Sequence, residues 1–225
     1  MVEPLRLYSY WRSSAAYRVR IGLNLKRLAH EIVPVHLVRD GGQQHSPEYR
    51  ALNPQELVPT LAHGHRKLTQ SLAILEYLDE VWPERPLLPA TARARQRVRA
   101  LGQLIACDIH PLNNLRVLQY FEQEWNVPQP EREGWVRHWI ETGLAAMEAL
   151  VAGHPSTGEF CEGNAPPSPI AASSRSSTTR AGSAWTWGRI PPWCGSSRRA
   201  LRCPRSTRRA RNSSRTHPRT PDRGR

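Results

Sequence analysis

The chain lacks any apolar run approaching the roughly 20 residues that a helix needs to cross a bilayer, and it opens without a basic, apolar and small-residue leader pattern. No membrane partner is expected, and the default location is cytoplasmic. Cysteine is sparse: Cys107, Cys161, Cys194 and Cys203 lie far apart with no CxxC and no Cys/His ligand spacing. That pattern argues against a disulfide framework and against zinc, so reduced thiols and no metal are the expectation. His63 and His65 lack two further ligands nearby and read as exposed turn residues. Lysine is missing altogether from residues 165–225, where 14 arginines face a single acid, Asp222. Residues 1–164 balance 18 basic against 18 acidic side chains, so the whole formal charge of +13 belongs to that last stretch. An average taken over all 225 residues would wrongly suggest an anionic partner for the entire protein.

What is present begins with "LRLYSY" at 5–10, where Leu5 and Leu7 alternate with Arg6 and Tyr8 as in a strand. Ser13 or Ser14 then offers a helix cap. In the helix that follows, Tyr17, Ile21, Leu25 and Leu28 form one stripe and Ala15, Val19, Gly22 and Leu23 another, leaving Arg20, Asn24 and Arg27 as the wet edge. "EIVPVHLV" at 31–38 reads as a second strand, and Pro34 favours an edge position. "LVPTLAHGHRKLTQS" suggests two short strands around a turn at His63–Lys67, and "SLAILEYLDEVW" a helix capped by Ser71. Strand, helix, strand, hairpin and helix in this order describe a thioredoxin-like α/β domain over residues 1–85. "WPERPLLPA", with Pro83, Pro86 and Pro89, reads as a linker. From Thr91 the periodicity becomes that of long helices, giving an all-α second domain over 90–164 that is expected to be incomplete. Its opening "RARQRVR" at 93–99 reads as a solvated face.

Residues 165–225 contain no Val and one Leu, and Arg, Ser, Thr and Pro supply 39 of the 61 residues. Such a composition buries little apolar surface and is expected to be disordered. A basic nucleic-acid-binding arm is one reading. A second explains more: a GC-rich gene translated out of frame. Joining the last base of each codon to the first two of the next from Ala165 onward permits "PTIADCCLVPQLYNARRFG" without contradiction. Free third bases were chosen to fit, so this is consistency. The permitted segment has a helix-start pattern, Thr followed three residues later by Asp before an apolar run. A frameshift near Asn164 is therefore the expectation.

The chemistry concentrates at "SSAAYRVRIGLNLK", residues 13–26. A thioredoxin-like fold places its reactive pair at the start of the first helix, where free N–H groups and the helix dipole favour an anion. Here Ser13 and Ser14 stand there, followed by Ala15 and Ala16. Without a thiol of its own this position cannot exchange disulfides, but its hydroxyls could hydrogen-bond a sulfur borrowed from a cofactor and favour its ionised form. Val58 precedes Pro59, and a bound peptide backbone could pair with Val58 if that proline is cis. Gln70 and Ser71 begin a second helix suited to a carboxylate. Together these describe a site for a small acidic thiol peptide.

Residues 5–164 resemble the zeta class of glutathione transferases, the family of maleylacetoacetate isomerase and glutathione-dependent maleylpyruvate isomerase. The likeness is carried by "LYSYWRSSAAYRVRIGLNLK", "DGGQQHSPEYRALNPQELVPTL", "QSLAILEYLDE" and "DIHPLNNLRVL". It implies glutathione as cofactor and a homodimer. It also implies that Ser13 and Ser14 face the glutathione sulfur, that Gln44, Val58 and Pro59 contact the peptide, and that Gln70 and Ser71 hold the γ-glutamyl carboxylate. His110, Asn114 and Arg116 would line the site from the helical domain, and Arg12 and Arg116 would serve the substrate's anionic groups. Two departures stand out: Ala15 occupies a position where the family often has cysteine, and the family's "ADLCLVPQ" helix, with the arginine after it, appears only in the alternative frame.

The activity implied is cis–trans isomerisation of maleylacetoacetate, a step of aromatic amino acid catabolism. Maleylpyruvate isomerisation and general glutathione transfer to small α-halo acids are the enzymatic alternatives. A thioredoxin-fold binding module with a basic nucleic-acid-binding arm is the non-enzymatic one.

Overall fold

The computed structural model describes residues 3–163. Leu5–Ser9 forms β1, with Leu5, Leu7 and Ser9 facing inward and Arg6 outward, as the alternation requires. β1 pairs in parallel with β2 (His30–Pro34) and antiparallel with β3 (Thr60–His63), which pairs in turn with β4 (Arg66–Leu68). The sheet order is β2-β1-β3-β4. β2 is thus an edge strand, and Pro34 closes it where a missing N–H is tolerated. The helix α1 (Ser14–Leu25) joins β1 to β2, α2 (Pro47–Leu52) follows a loop, and α3 (Ser71–Val81) follows β4. This is the thioredoxin-like arrangement.

The main core joins β1, β3, α1 and α3 through Leu7, Val19, Leu23, Leu61, Ile74 and Leu78. Leu87 and Leu88 of the linker and Val98 of the next helix belong to the same cluster, so the α/β and helical halves share one core. On the far side of the sheet Tyr10, Val35, Tyr49 and Val58 form a second cluster.

α1 departs from the sequence expectation. Its buried face is Ser14, Ala16, Arg18, Val19, Gly22 and Leu23, whereas Leu25 is exposed and Tyr17 and Ile21 are half-buried. Two basic residues, Arg18 and Lys26, lie inside with their aliphatic stems packed. Lys26, just past the helix, places Nζ 2.8 Å from Asp79 Oδ1, 2.7 Å from the Trp82 carbonyl and 2.9 Å from that of Arg85. Asp79 also accepts from the Leu87 and Leu88 amides. This cluster pins the linker to the end of α3.

The helical half comprises α4 (Ala92–Gln103), capped by Thr91, then α5 (Leu115–Gln123) and α6 (Gln129–Val151). The first of the long helices expected from Thr91 onward is broken. A π-helical turn at Leu104–Ile109 widens it, a 3-10 turn at Pro111–Asn113 ends it, and Asn114 caps α5 through Oδ1 at 3.2 Å from the Arg116 amide. The "RARQRVR" segment is only partly a solvated face. Arg97 reaches the Cys161 and Leu150 carbonyls, Glu162 and Thr157, and Arg99 forms a two-pronged pair with Glu76 at 2.7 Å.

His63 is likewise not an exposed turn residue: its Nδ1 is 2.7 Å from the Tyr77 hydroxyl and its ring packs on Trp82. Among the described residues no group of three or more His, Cys, Asp or Glu could hold a metal ion, and no helix is long and apolar enough to cross a membrane. The expectations for residues 165–225 lie outside the described residues.

Candidate active site

β1 delivers the chain to α1 through Tyr10–Ser13. Ser13 occupies the N-cap in extended conformation, and its Oγ accepts from the Ala16 amide at 3.2 Å. Because that oxygen is the acceptor, the Ser13 hydroxyl proton remains available to donate. Ser14, the first residue of α1, is buried, and its Oγ lies 2.9 Å from His110 Nδ1. The hydroxyl expected to meet a cofactor is therefore shared with the helical half.

Burial, followed by the nearby charges of Arg18 and Arg116, depresses the His110 pKa from its ordinary 6.5 to about 4. The ring is neutral at pH 7, so one nitrogen donates and the other accepts. If Nδ1–H donates to Ser14 Oγ, the Ser14 proton is released for another acceptor. His110 owes its position to the π-helical turn, because its amide bonds to the Ile105 carbonyl at 2.9 Å.

The peptide-contacting loop is tied from below. The Tyr49 hydroxyl and the Asn53 side-chain amide donate to the Leu57 carbonyl at 2.6 and 2.8 Å. The next peptide bond, Val58–Pro59, is cis, and both side chains are buried. Gln44 is buried too; its Nε2 donates to the Leu37 carbonyl at 3.3 Å, and its Oε1 has no hydrogen-bond partner among the described residues.

Ser71 does not cap α3. Gln70 holds the cap position with φ of 64° and no side-chain cap bond, while Ser71 is the first helical residue. Ser71 Oγ instead accepts from Arg18. Gln70 Nε2 donates to Gln55 Oε1 at 3.0 Å.

Arg12, Ser13, Ser14, Gln44, Val58, His110, Asn114 and Arg116 line one cavity of about 590 Å³ between the two halves. Pro59, Gln70 and Ser71 are not in its lining, although Gln55, the partner of Gln70, is. The wall also includes Tyr10, His45, Glu122 and Arg132, which sequence reasoning did not single out. They lie on four separate segments, and no local pattern joins them. Glu122 and Arg132 neutralise each other across α5 and α6, whereas the side chains of Arg12 and Arg116 make no hydrogen bond or ion pair among the described residues.

Residues 7–86 match the model of the glutathione S-transferase N-terminal domain. The chain is 51% identical over 160 residues to the "Probable maleylacetoacetate isomerase" of Vibrio cholerae, covering 71% of this chain and 74% of that protein. The chain belongs to the zeta-class glutathione transferase family. Its relatives there are enzymes. A maleylpyruvate isomerase from a Ralstonia species is 44% identical over 72% of this chain and 76% of its own length. The crystal structure of maleylacetoacetate isomerase from Methylobacterium extorquens, solved with bound malonate and glutathione, superposes with a TM-score of 0.71 at 43% identity. That match covers 76% of this chain and 79% of the other. Within this zeta-class frame the cavity between the halves is the candidate active site, and glutathione is the family's cofactor.

Proposed function

We propose that this zeta-class chain catalyses glutathione-dependent cis–trans isomerisation of a maleyl-substituted keto acid, maleylacetoacetate first among the candidates, as a cytoplasmic homodimer. One observation carries the reading: Ser14, at the positive end of α1, is bonded at 2.9 Å to a neutral His110 on the wall of a cavity that also holds Arg12 and Arg116. That combination suits a thiol at one end and a dianionic substrate at the other.

The residues fit glutathione. Gln44 Oε1 is a buried acceptor without a donor, which a peptide N–H would satisfy. Val58 lines the same cavity, where its main chain would pair with a bound peptide. Gln70 and Ser71 begin an 11-residue helix whose N-terminal amides suit the γ-glutamyl carboxylate. When bound, glutathione supplies a nucleophilic sulfur that adds reversibly to the conjugated double bond and departs after rotation, so it is not consumed.

The chain's own part is electrostatic. The first-turn amides of α1 and the Ser13 and Ser14 hydroxyls donate to the sulfur and favour its ionised form. Arg12 and Arg116 meet the substrate carboxylates and the charge that develops on its carbonyl oxygen. Asn114, the cap of α5, accepts from the Arg116 amide and so fixes the main chain of that residue on the cavity wall.

Incubation with glutathione and maleylacetone tests this. The expected result is loss of the cis compound at constant free thiol. A falling thiol count would assign the chain to conjugation instead, and no change in either would overturn the reading. Light scattering checks the dimer.

A further inference from the structure

Arg18 is only 1% exposed, yet it makes a single hydrogen bond, from one Nη to Ser71 Oγ. Its Nε and other Nη are buried without a partner among the described residues. The buried Lys26, by contrast, is satisfied by a carboxylate and two carbonyls. A buried, under-satisfied cation is costly, and an apolar side chain of similar length would pack at lower cost. Packing alone therefore does not account for an arginine here.

Its location suggests what does. Arg18 follows Ser14 by one helical turn on the same buried face of α1, and it spans to the first residue of α3. It thus links the α1 face that carries Ser14 to the start of α3, the two helices that the glutathione reading uses. Ser71 Oγ accepts from the guanidinium, so the Ser71 hydroxyl proton is directed away from Arg18, on a buried residue at the start of α3 next to Gln70, whose partner Gln55 lines the cavity. The charge of Arg18 is also felt at the π-helical turn and at His110 just after it. There Cys107 is the titratable group acting on it, and His110 is held neutral by burial together with Arg18 and Arg116.

We infer that Arg18 is a positioning residue for the cofactor: its guanidinium turns Ser71 into an outward donor for the γ-glutamyl carboxylate and holds a positive potential beside the Ser14–His110 pair. This rests on the glutathione reading above and adds to it a residue that does not line the cavity.

The test compares the full chain with Arg18→Met and Arg18→Lys. Calorimetry measures the affinity for glutathione and for cysteinylglycine, which lacks the γ-glutamyl carboxylate, while the imidazole NMR signals of His110 report its protonation. Arg18→Met is expected to weaken glutathione binding about tenfold or more, since a charge-assisted contact is lost, and to leave cysteinylglycine unaffected. It is also expected to move the His110 titration to higher pH. Arg18→Lys, which keeps the charge without the planar fork, is expected to restore the titration and part of the affinity. A purely structural role would not move the titration or be rescued by lysine.

Unchanged glutathione affinity in a folded Arg18→Met, or a His110 titration that does not shift, overturns the assignment. Should Arg18→Met fail to fold, Ser71→Ala decides it. That variant is expected to lose glutathione affinity with the His110 titration unmoved, and unaltered affinity overturns the assignment. If the unsubstituted chain does not bind glutathione, the functional reading itself falls; intact binding in both chains removes only the role of Arg18.

Discussion

Ser14 Oγ and His110 Nδ1 stand 2.9 Å apart although 96 positions separate them in the chain. This contact joins the α/β and helical halves at the cavity, and it makes the ionisation of one imidazole a property of the whole fold.

Folding should therefore depend on pH through His110. Its pKa falls from 6.5 to about 4 in the folded chain, so the unfolded chain binds the proton more tightly. The stability conferred by keeping this ring neutral is fully present above about pH 6.5, declines as pH falls towards 4, and is on the order of 3 kcal/mol. Urea melts of the native chain and His110→Asn at pH 7.5 and 4.5 check this, since carboxylate effects common to both chains cancel. The native chain should lose more stability on acidification than the variant.

Lys26 and Asp79 should be critical for folding and remote from chemistry. Removing one partner leaves an uncompensated buried charge, so Lys26→Met is expected to cost about 3 to 5 kcal/mol. Asp79→Leu should cost at least as much, because the Leu87 and Leu88 amides lose their acceptor as well. The double variant should be less destabilised than the sum of the two single ones, as a denaturation cycle would show.

Gly143 permits the close approach of α6 to the π-helical turn. A Cβ there would collide with the Ile109 side chain, next to His110. Gly143→Ala should raise intrinsic helix propensity yet cost about 1 to 3 kcal/mol through overpacking. It should also lower isomerisation more than glutathione affinity, because His110 moves with Ile109. Equal stability of the two chains in a thermal melt would show that Ile109 yields without strain.

The out-of-frame reading of residues 165–225 makes its own prediction. Resequencing the gene should reveal a slip near codon 164, and the chain translated in the second frame should melt at a higher temperature than the chain that ends in the Arg-rich tail. Tryptic peptide masses that match that tail, from a gene with an intact frame, would end the reading.

Much of the fold was legible locally. The Leu5, Leu7 alternation marked β1, Pro34 marked an edge, and the Ser13–Ser14 pair marked a helix start without saying which serine caps it, because each signal is read within a few residues by backbone geometry. Val58 stood out locally as the residue before Pro59, Gln44 and His110 were singled out only through resemblance to the zeta class, and the structure brings all three to one cavity.

What sequence alone determined, then, was the order of the strands and of the two helices flanking them, the hydroxyl pair at the start of α1 and the family, but neither α2 nor the break between α4 and α5. Tertiary structure decided the rest. It buried Arg18 and Lys26, removed Leu25 from the core, gave the Ser71 oxygen to Arg18 rather than to a cap, and set His110 against Ser14. The reason is physical: periodicity states which side of an element prefers to leave water, whereas a long basic side chain can go either way. Which way it goes depends on acceptors supplied by segments 53 residues distant, as with Arg18 and Ser71, and those meet only once the chain has packed.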